Sequence, residues 1–459
     1  MRLENWFISN PDENQRAIIN LPADVNLVVS GPPGSGKTNI ALYRANELHD
    51  KDYVVCVRTH MMKKVIRHGM IQLGLDPDRV MYSWSFENRG PDVSGDLYCH
   101  YKIDTKTNER YPLGQKLFLV KDKKVLVFES FIKQRDTDNK DKLVVWVDHD
   151  DYVHYSIYKE FGRRKKCYVL TDESIDESSI NNKDFMQLDS SYLYRKQEKY
   201  DYIIIDEGQD FQDNWYREII SSKLNKGLAI LGDSDQKIVS KGKGSDLIAL
   251  ALELSYPLMY LKHNYRVPKS IAKVAAELID STSAKGLIID SLKNEGLSDY
   301  PHFDKPLLLK CSSEEEELQF IIDSIRQEEL EDVLILVSNE IELKKVHRFF
   351  ASNEQSTQVR FKGYLDNSSG LFKRIDTIDF RNIDVPAIMT IIDSKGSEYE
   401  NVFIPFLGGK NIIQGNSAYV AFTRCGGKLI LTCSQKEPSF LNEVNEEFIE
   451  LKTYEEVNK

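Results

Sequence analysis

The sequence predicts an α/β fold in which parallel sheets are covered by helices, and three observations support this. Apolar runs of about four to eight residues recur along the chain, bounded by Gly, Pro, Asp or Asn, as strands buried on both faces would require. Stretches with apolar residues at helical spacing lie between these runs. The chain has 459 residues, 41% of them hydrophobic, which suffices for several domains. Alternation of strands and helices on this scale is typical of the α/β class.

The predicted elements follow one another along the chain. The predicted strands are Val25–Ser30, Tyr53–Val57, Tyr202–Ile205, Leu228–Leu231, Val333–Val337, Ile388–Ile392, Val402–Phe406 and Leu429–Thr432. The predicted helices include Thr38–Leu48, Ser270–Ile279, Glu314–Glu328 and Glu342–Phe350.

One region departs from this alternation and is interpreted as an insertion, β-rich or α+β. It covers residues 88–200 and contains hairpin-like runs rich in Tyr, Phe and Val. The remainder divides into a first α/β domain, residues 1–87 and 201–261, and a second one, residues 262–459. The strands predicted in the insertion are Lys116–Val120, Lys124–Glu129, Leu143–Asp148 and Cys167–Leu170.

Composition excludes several classes of protein. The net charge of −11 excludes a histone-like polycation. The six cysteines form no CxxC pair, so a disulfide scaffold and a structural zinc site are not expected. No stretch approaches the roughly 18 apolar residues of a membrane helix. The N-terminal residues also lack the apolar segment of a signal peptide. We therefore expect a cytoplasmic protein with no membrane partner.

A phosphate-binding loop is predicted between the first strand and the first long helix. Residues 31–38 match GxxxxGK[ST] in the strand–loop–helix context that this motif requires. The glycines allow backbone N–H groups to surround phosphates, and the helix N-terminus favours negative charge. Lys37 is expected to reach the β- and γ-phosphates, and Thr38 to ligate Mg²⁺. The nucleotide-binding residues of the loop are Gly31, Gly34, Ser35, Gly36, Lys37 and Thr38.

A pair of carboxylates completes the predicted site. Asp206 and Glu207 follow the apolar run Ile203–Ile205. In a parallel sheet this places them at the same edge as the phosphate loop. Asp206 is expected to hold Mg²⁺, and Glu207 to orient and deprotonate the attacking water. The two motifs together predict an NTPase.

The remaining motifs, taken in order, resemble those of superfamily 1 DNA helicases of the UvrD/Rep/PcrA type. Residues 12–15 (DENQ) resemble the Q motif, residues 206–210 (DEGQD) the DExQD motif, and residues 231–236 (LGDSDQ) motif III. The resemblance implies two RecA-like P-loop domains, with Gln15 reading adenine. It also implies that Gln209 and Gln236 sense the γ-phosphate.

The second half of the chain continues the resemblance. Residues 263–266 (HNYR) match the family's NYR, residues 390–399 resemble motif V, and residues 418–424 (AYVAFTR) resemble motif VI. The resemblance implies that Tyr265 stacks on the base and that Glu398 contacts the ribose. Arg266 and Arg424 would contact the γ-phosphate.

Physical reasoning supports the role of the two arginines. Arginine suits a transferring phosphoryl group because it is always charged and bidentate. If the second domain supplies both residues, domain closure would depend on the γ-phosphate. We therefore expect a motor that uses ATP and Mg²⁺ and acts on single-stranded DNA, with RNA left open. The resemblance implies 3′ to 5′ movement.

Departures from the family leave a second hypothesis open. Residues 237–243 contain three lysines where the family has a base-stacking aromatic, and Ile392 replaces the usual histidine of motif V. The chain is also compact. It could therefore be an ATPase subunit that regulates a partner such as a nuclease. DNA repair and antiviral defence are both compatible with either hypothesis, whereas a small-molecule kinase would not need the ordered motif set.

Three further patterns have an ordinary structural interpretation, which we favour. Tyr82, Trp84 and Phe86 alternate like nucleic-acid contacts but also like a strand that buries one face. Residues 163–166 (RRKK) are basic but suit a solvated turn. Residues 148–151 (DHDD), with His154, superficially suggest a metal site, and we assign neither a metal nor a nuclease to them.

Overall fold

The computed structural model describes residues 10–88, 199–237, 244–279, 305–365, 371–380, 382–409, 415–442 and 444–457, together with eight strands between residues 96 and 196. The chain divides into two compact units. The smaller is Asp78–Tyr200, and the larger combines Met1–Pro77 with Asp201–Lys459.

The first sheet of the larger unit surrounds the phosphate loop. Leu27–Ser30 pairs in parallel with the strands on both of its sides, and Tyr200–Ile205 pairs in parallel with Tyr53–Val57. The side chains of these central strands are almost entirely buried. Five strands follow one another across the sheet in the order Leu258–Tyr260, Leu27–Ser30, Leu224–Gly232, Tyr200–Ile205, Tyr53–Val57.

The second sheet has eight strands, and its strand pairs are parallel. Its centre is Val333–Val337, in which all five side chains are buried. The strands follow the order Lys373–Arg374, Lys362–Leu365, Ala387–Thr390, Val333–Val337, Tyr399–Ile404, Cys425–Cys433, Leu307–Lys310, Glu450–Thr453. Two parallel sheets with helices confirm the predicted α/β fold class.

Helices connect the strands of both sheets. The described helices of the larger unit with at least seven residues are Glu13–Ile19, Lys37–Glu47, His60–Gln72, Leu247–Leu254, Lys269–Glu277, Glu314–Gln327, Glu340–Thr357 and Gly415–Phe422. Within the described ranges, no helix is both long and apolar enough to cross a membrane.

Local sequence explains where several helices begin. Thr59, Ser313 and Asn339 accept hydrogen bonds from backbone N–H groups of the first turns that follow them. These groups have no partner inside the helix, so a side-chain oxygen at this position stabilises the start. The glutamates at 314–317 add negative charge at the N-terminus of their helix, which the helix dipole favours.

The two sheets share a hydrophobic core. Met61 and Val65, from the helix that follows Tyr53–Val57, belong to the same buried cluster as Met389 and Tyr399 of the second sheet. We call residues 10–77 and 201–261 the first domain, and residues 262–457 the second domain. Their packing brings distant parts of the sequence together at the carboxyl edge of the first sheet.

The smaller unit is β-rich, as predicted for the insertion. It contains two antiparallel four-stranded sheets. Their strands are Asp96–Ile103, Arg110–Lys121, Lys124–Phe128, Phe131–Arg135, Asp141–Trp146, His154–Tyr158, Phe185–Leu188 and Leu193–Lys196. The predicted strand Cys167–Leu170 lies outside the described residues, as do the basic run 163–166 and residues 148–151.

The alternating strand expected around residues 82–86 is wrong. A strand, Val80–Tyr82, ends where the helix Ser83–Asn88 begins. Phe86 is fully buried, and its ring centroid lies 5.8 Å from that of Tyr200. Phe86 therefore belongs to the core of the smaller unit and is not available to a nucleic-acid strand. The side chain of Trp84 lies outside the described residues.

Candidate active site

The phosphate loop joins the strand Leu27–Ser30 to the helix Lys37–Glu47. Gly34 and Gly36 have φ angles of +73° and +86°, which favour glycine. A side chain at Gly34 would also collide with the second domain, because its Cβ would lie 2.4 Å from Oδ1 of Asn264. The loop is therefore closely fitted against the segment that contains Tyr265 and Arg266.

Lys37 is buried within this loop. Its Nζ donates hydrogen bonds to the carbonyl oxygens of Gly31, at 2.8 Å, and Pro32, at 3.0 Å. Burial lowers the pKa of Lys37, and the nearby carboxylates, Asp233 first among them, oppose that change. The ammonium group thus lies where phosphate oxygens would bind, held by two neutral acceptors.

Asp206 carries an unsatisfied oxygen. The side chain is buried, and Oδ2 has no hydrogen-bond partner, whereas Oδ1 accepts the backbone N–H of Glu207 at 3.1 Å. The nearby Thr38 side chain lowers the pKa of this carboxylate, against the larger effects that raise it. Burial and the adjacent Glu207 raise the pKa of Asp206 to about 7. A buried acceptor without a donor is costly, so this oxygen is suited to a cation.

These residues fit a magnesium ion. Mg²⁺ prefers oxygen ligands and is commonly held by one or two protein groups together with phosphates and waters. Thr38 and Asp206 supply such oxygens. Across the residues that the structure describes, no cluster of three or more His, Cys, Asp or Glu side chains could hold a metal alone. Nucleotide phosphates and waters could supply the remaining ligands of such an ion.

Glu207 lies beside several cations. Its backbone has a φ of +55°, an uncommon conformation for a residue with a side chain. Its Oε2 accepts a hydrogen bond from Nε2 of Gln209 at 2.5 Å. Burial would raise the pKa of Glu207, but the positive charges of Lys395, Lys37 and Arg424 lower it overall. The carboxylate is therefore held in its ionised form.

The two predicted glutamines connect this carboxylate to the neighbouring strand. Oε1 of Gln209 accepts the backbone N–H of Asp233 at 3.0 Å. Oε1 of Gln236 accepts a hydrogen bond from Nη2 of Arg424 at 3.3 Å. Residues 207–209, 233–236 and the second domain thus form one hydrogen-bonded chain.

Arg424 reaches the first domain from the end of the helix Gly415–Phe422. Its side chain is 2% exposed, and besides Gln236 it donates to the carbonyl oxygens of Ser397 and Val420. Burial lowers the pKa of Arg424 to about 10. A guanidinium group this buried is costly unless it is matched by negative charge.

Arg266 and Glu398 lie beside each other. Nε of Arg266 is 3.5 Å from Oε2 of Glu398, and Nη2 donates to the carbonyl oxygen of Thr423 at 3.2 Å. The structure thus places Arg266 against Thr423, the residue that precedes Arg424. It places Glu398 against Arg266.

The residues predicted to bind the base form a separate network. The Tyr265 hydroxyl donates a hydrogen bond to Oδ2 of Asp12. Burial raises the pKa of this hydroxyl, and the hydrogen bond to Asp12 raises it further. Asp12 and Gln15 cap the helix Glu13–Ile19 through reciprocal side-chain hydrogen bonds. Nε2 of Gln15 donates to the carbonyl oxygen of Ser35 at 3.0 Å. Tyr265 and Gln15 are therefore both connected to the phosphate loop.

Sequence reasoning missed several residues of the site. Tyr419 donates a hydrogen bond to Oδ2 of Asp233 at 3.2 Å, and Lys395 donates to Oδ1 of Asp210 at 2.6 Å. Both contacts join residues about 185 positions apart. All four residues lie inside the motif segments quoted above, so the motifs could have identified them as candidate site residues. No local sequence pattern, however, shows which of them contact each other.

No protein-family model matches the sequence. No curated protein matches it either.

Similar solved structures include helicases of low sequence identity. The arterivirus nonstructural protein 10 helicase is 10% identical over 94% of this chain, with a TM-score of 0.36. The same helicase in complex with DNA is 12% identical over 92% of this chain, with a TM-score of 0.35. The C-terminal domain of a possible DNA helicase from Lactobacillus plantarum WCFS1 is 13% identical over 41% of this chain, with a TM-score of 0.29. The chain covers 64% and 63% of the two arterivirus chains and 98% of the bacterial domain.

Proposed function

We propose that this protein hydrolyses ATP with Mg²⁺ and uses the reaction to drive movement on single-stranded nucleic acid. The observation that carries the proposal is the contact between Arg424 of the second domain and Gln236 of the first. Arg424 is buried there, and its positive charge helps to lower the pKa of Glu207. An arginine donated across a domain boundary makes hydrolysis depend on how the two domains are packed.

In the proposed reaction, water attacks the γ-phosphate of ATP in line with the leaving group. Glu207, whose carboxylate is ionised, accepts a hydrogen bond from this water and takes its proton as the bond between the γ-phosphorus and the bridging oxygen of the departing ADP breaks. Lys37 leaves its loop carbonyls to bind the β- and γ-phosphates. Arg266 and Arg424 stabilise the charge on the transferring group. Bound Mg²⁺, held by Thr38 and Asp206, would neutralise negative charge on the phosphates.

The base of the nucleotide would bind near Tyr265 and Gln15. Asp12 fixes the Tyr265 hydroxyl, so the ring is positioned before the nucleotide arrives. The Gln15 amide joins this region to the phosphate loop. Glu398 would contact the ribose once Arg266 moves to the phosphate.

Single-stranded DNA is the nucleic acid that we propose, moving 3′ to 5′ relative to the protein. The ordered motifs support this assignment, since they resemble those of superfamily 1 helicases. RNA would be recognised by the same charged and stacking groups and remains an outcome of the test.

A second candidate is an ATPase subunit that controls a partner such as a nuclease, in antiviral defence or in repair. The position of Ile392 favours it. This side chain is 52% exposed where the family has a histidine, so it presents an apolar surface in place of a hydrogen-bonding group. That change would weaken a contact with the nucleic-acid strand and leave the residues proposed for ATP hydrolysis unchanged.

The test is ATP hydrolysis measured with no nucleic acid, single-stranded DNA, double-stranded DNA and RNA. The motor proposal expects stimulation of at least tenfold by single-stranded DNA, and loss of that rate in Lys37→Ala and Arg424→Ala. Hydrolysis that no nucleic acid stimulates would reject the motor and favour the partner-controlled ATPase. Absence of hydrolysis under every condition would reject both.

A further inference from the structure

We propose that Lys395 is a positioning residue for hydrolysis: from the second domain, it holds the Glu207 carboxylate in place only while the two domains are packed together. The proposal rests on the function proposed above. The roles proposed above for the phosphate loop, Arg266 and Arg424 do not involve Lys395.

The contacts of Lys395 lie in the first domain. Its side chain is 3% exposed, and Nζ donates to Oδ1 of Asp210 at 2.6 Å and to the carbonyl oxygen of Gln236 at 2.7 Å. The same Nζ lies 3.7 Å from Oε2 of Glu207. The ammonium group of this one second-domain lysine therefore contacts three residues of the first domain, namely Glu207, Asp210 and Gln236.

The backbone around Lys395 is held firmly enough to aim the side chain. The N–H of Ser394 donates to the carbonyl oxygen of Thr390, and the N–H of Ser397 donates to that of Ser394. Gly396 has a φ of +84°, and a Cβ there would lie 1.7 Å from Sδ of Met62. The turn thus fits directly against a helix of the first domain, so the lysine enters only when this fit is made.

The geometry indicates which oxygen of Glu207 acts on water. Gln209 donates to Oε2, and the Lys395 ammonium forms an ion pair with the same oxygen at 3.7 Å. The hydrogen bond and the ion pair thus both act on the carboxylate through Oε2, which leaves Oε1 as the oxygen for the attacking water. If Lys395 withdraws, the carboxylate keeps Gln209 but loses its second restraint. Misplacement of a reacting group by about 1 Å can cost about 10²-fold in rate.

A purely structural role is the competing explanation. Asp210 is 4% exposed, and a buried carboxylate needs a cation nearby. Lys395 could serve only to neutralise Asp210. The two explanations differ in what happens when both members of this pair are made neutral.

The experiment therefore compares Lys395→Met, Asp210→Asn and the double variant with the wild-type protein. Lys428→Met is the matched control, since it removes an exposed lysine of the same domain that pairs with Glu328. Steady-state kcat and KM for ATP are measured together with the midpoint of thermal unfolding. Circular dichroism establishes that each variant is folded.

We expect Lys395→Met to lower kcat about 10²-fold with KM changed less than about threefold. It should also lower the unfolding midpoint, because Asp210 is left without its cation. In the double variant the midpoint should recover while kcat stays low, because Glu207 still lacks its restraint. Asp210→Asn alone should retain kcat within a few-fold, since asparagine still accepts from Lys395. Lys428→Met should match the wild type.

Two results would overturn the proposal. One is a kcat in Lys395→Met equal to that of the wild type. The other is recovery of kcat along with the midpoint in the double variant, which would assign Lys395 to Asp210 alone. In both cases the wild type still hydrolyses ATP, so the proposed function stands. If the wild type hydrolyses no nucleotide, the proposed function fails and this proposal fails with it.

Discussion

The two domains satisfy the polar groups of the site in different ways. In the first domain, Lys37 turns back to carbonyls of its own loop, and Oδ2 of Asp206 has no partner. In the second domain, Lys395 and Arg424 donate to atoms of the first domain. The first domain therefore carries polar groups suited to a ligand, whereas the buried cations of the second domain already bind atoms of the first.

Under the proposed function, this difference gives the two domains separate tasks. The first domain supplies the groups that would hold the phosphates and the metal. The second supplies buried cations whose position depends on domain packing. Nucleotide binding should therefore depend mainly on the first domain, and hydrolysis on both.

Lys37 is one of the positions where the largest effects are expected. We expect Lys37→Ala to lower ATP hydrolysis by about 10²–10³-fold or more, because the loop loses the positively charged side chain expected to reach the β- and γ-phosphates. Binding of a fluorescent ATP analogue should weaken as well. Lys51→Ala is the control: this exposed lysine of the same domain lies over the Tyr202 ring and should be neutral. Hydrolysis within a few-fold of wild type in Lys37→Ala would contradict the role of the loop.

Asp206 tests whether the first domain is poised for a metal. Removal of Mg²⁺ with EDTA, or Asp206→Asn, should abolish hydrolysis. Without metal and nucleotide, the same variant should be more stable than the wild type at neutral pH. The folded pKa of about 7 lies above the ordinary value of 3.8, so ionisation of this group opposes folding increasingly as pH rises between these values.

Thermal unfolding in EDTA from pH 4 to pH 8 checks this second expectation. The midpoint of Asp206→Asn should rise relative to wild type as the pH increases through that window. Equal midpoints across the range would show that the carboxylate is not held in an unfavourable charged state.

Asp12 tests the base-binding network. Asp12→Ala removes the partner of Tyr265 and a helix cap, and hydrogen bonds of this kind contribute about 1 kcal/mol each. We expect KM for ATP to rise about tenfold with kcat little changed. Asp12→Asn keeps an oxygen acceptor for the helix cap and presents an NH2 group that can donate to the Tyr265 oxygen, so KM should stay within about threefold. Hydrolysis of inorganic triphosphate, which has no base, should be the same in both variants; a parallel loss there would indicate a general structural defect.

Gly396 is expected to give the smallest effect. Gly396→Ala introduces a Cβ against Met62 and should loosen the packing of the domains, lowering kcat a few-fold. Gly74→Ala is the control, because Gly74 has a similar φ of +71° with nothing within 4 Å of its Cβ. If both alanines lower kcat equally, backbone strain and not domain packing is responsible.

The sequence predicted the buried strands well. Tyr53–Val57 and Val333–Val337 have the predicted bounds, because a continuous apolar run between polar residues defines a strand without reference to its neighbours. The helix predicted as Glu342–Phe350 is Glu340–Thr357. Asn339 caps its start, and its last turns are polar, so the apolar pattern ends before the helix does.

The site was predictable only where its residues lie in local motifs. The phosphate loop and Asp206–Glu207 meet at one sheet edge, as parallel strands require. Lys395, Tyr419 and Asp12 have partners that are distant along the chain, and domain packing decides those partners. The helix at Ser83–Asn88 was missed because six residues are too few to distinguish helical from alternating spacing.

The most direct test of the division between the domains is single-turnover hydrolysis by Arg424→Ala, compared with its affinity for ATP. Arg424→Lys serves as the conservative comparison. We expect ATP binding within a few-fold of wild type and hydrolysis lower by about 10³-fold or more, with little recovery in the lysine variant. Hydrolysis within threefold of wild type, or loss of ATP binding as large as the loss of hydrolysis, would contradict a site completed by the second domain.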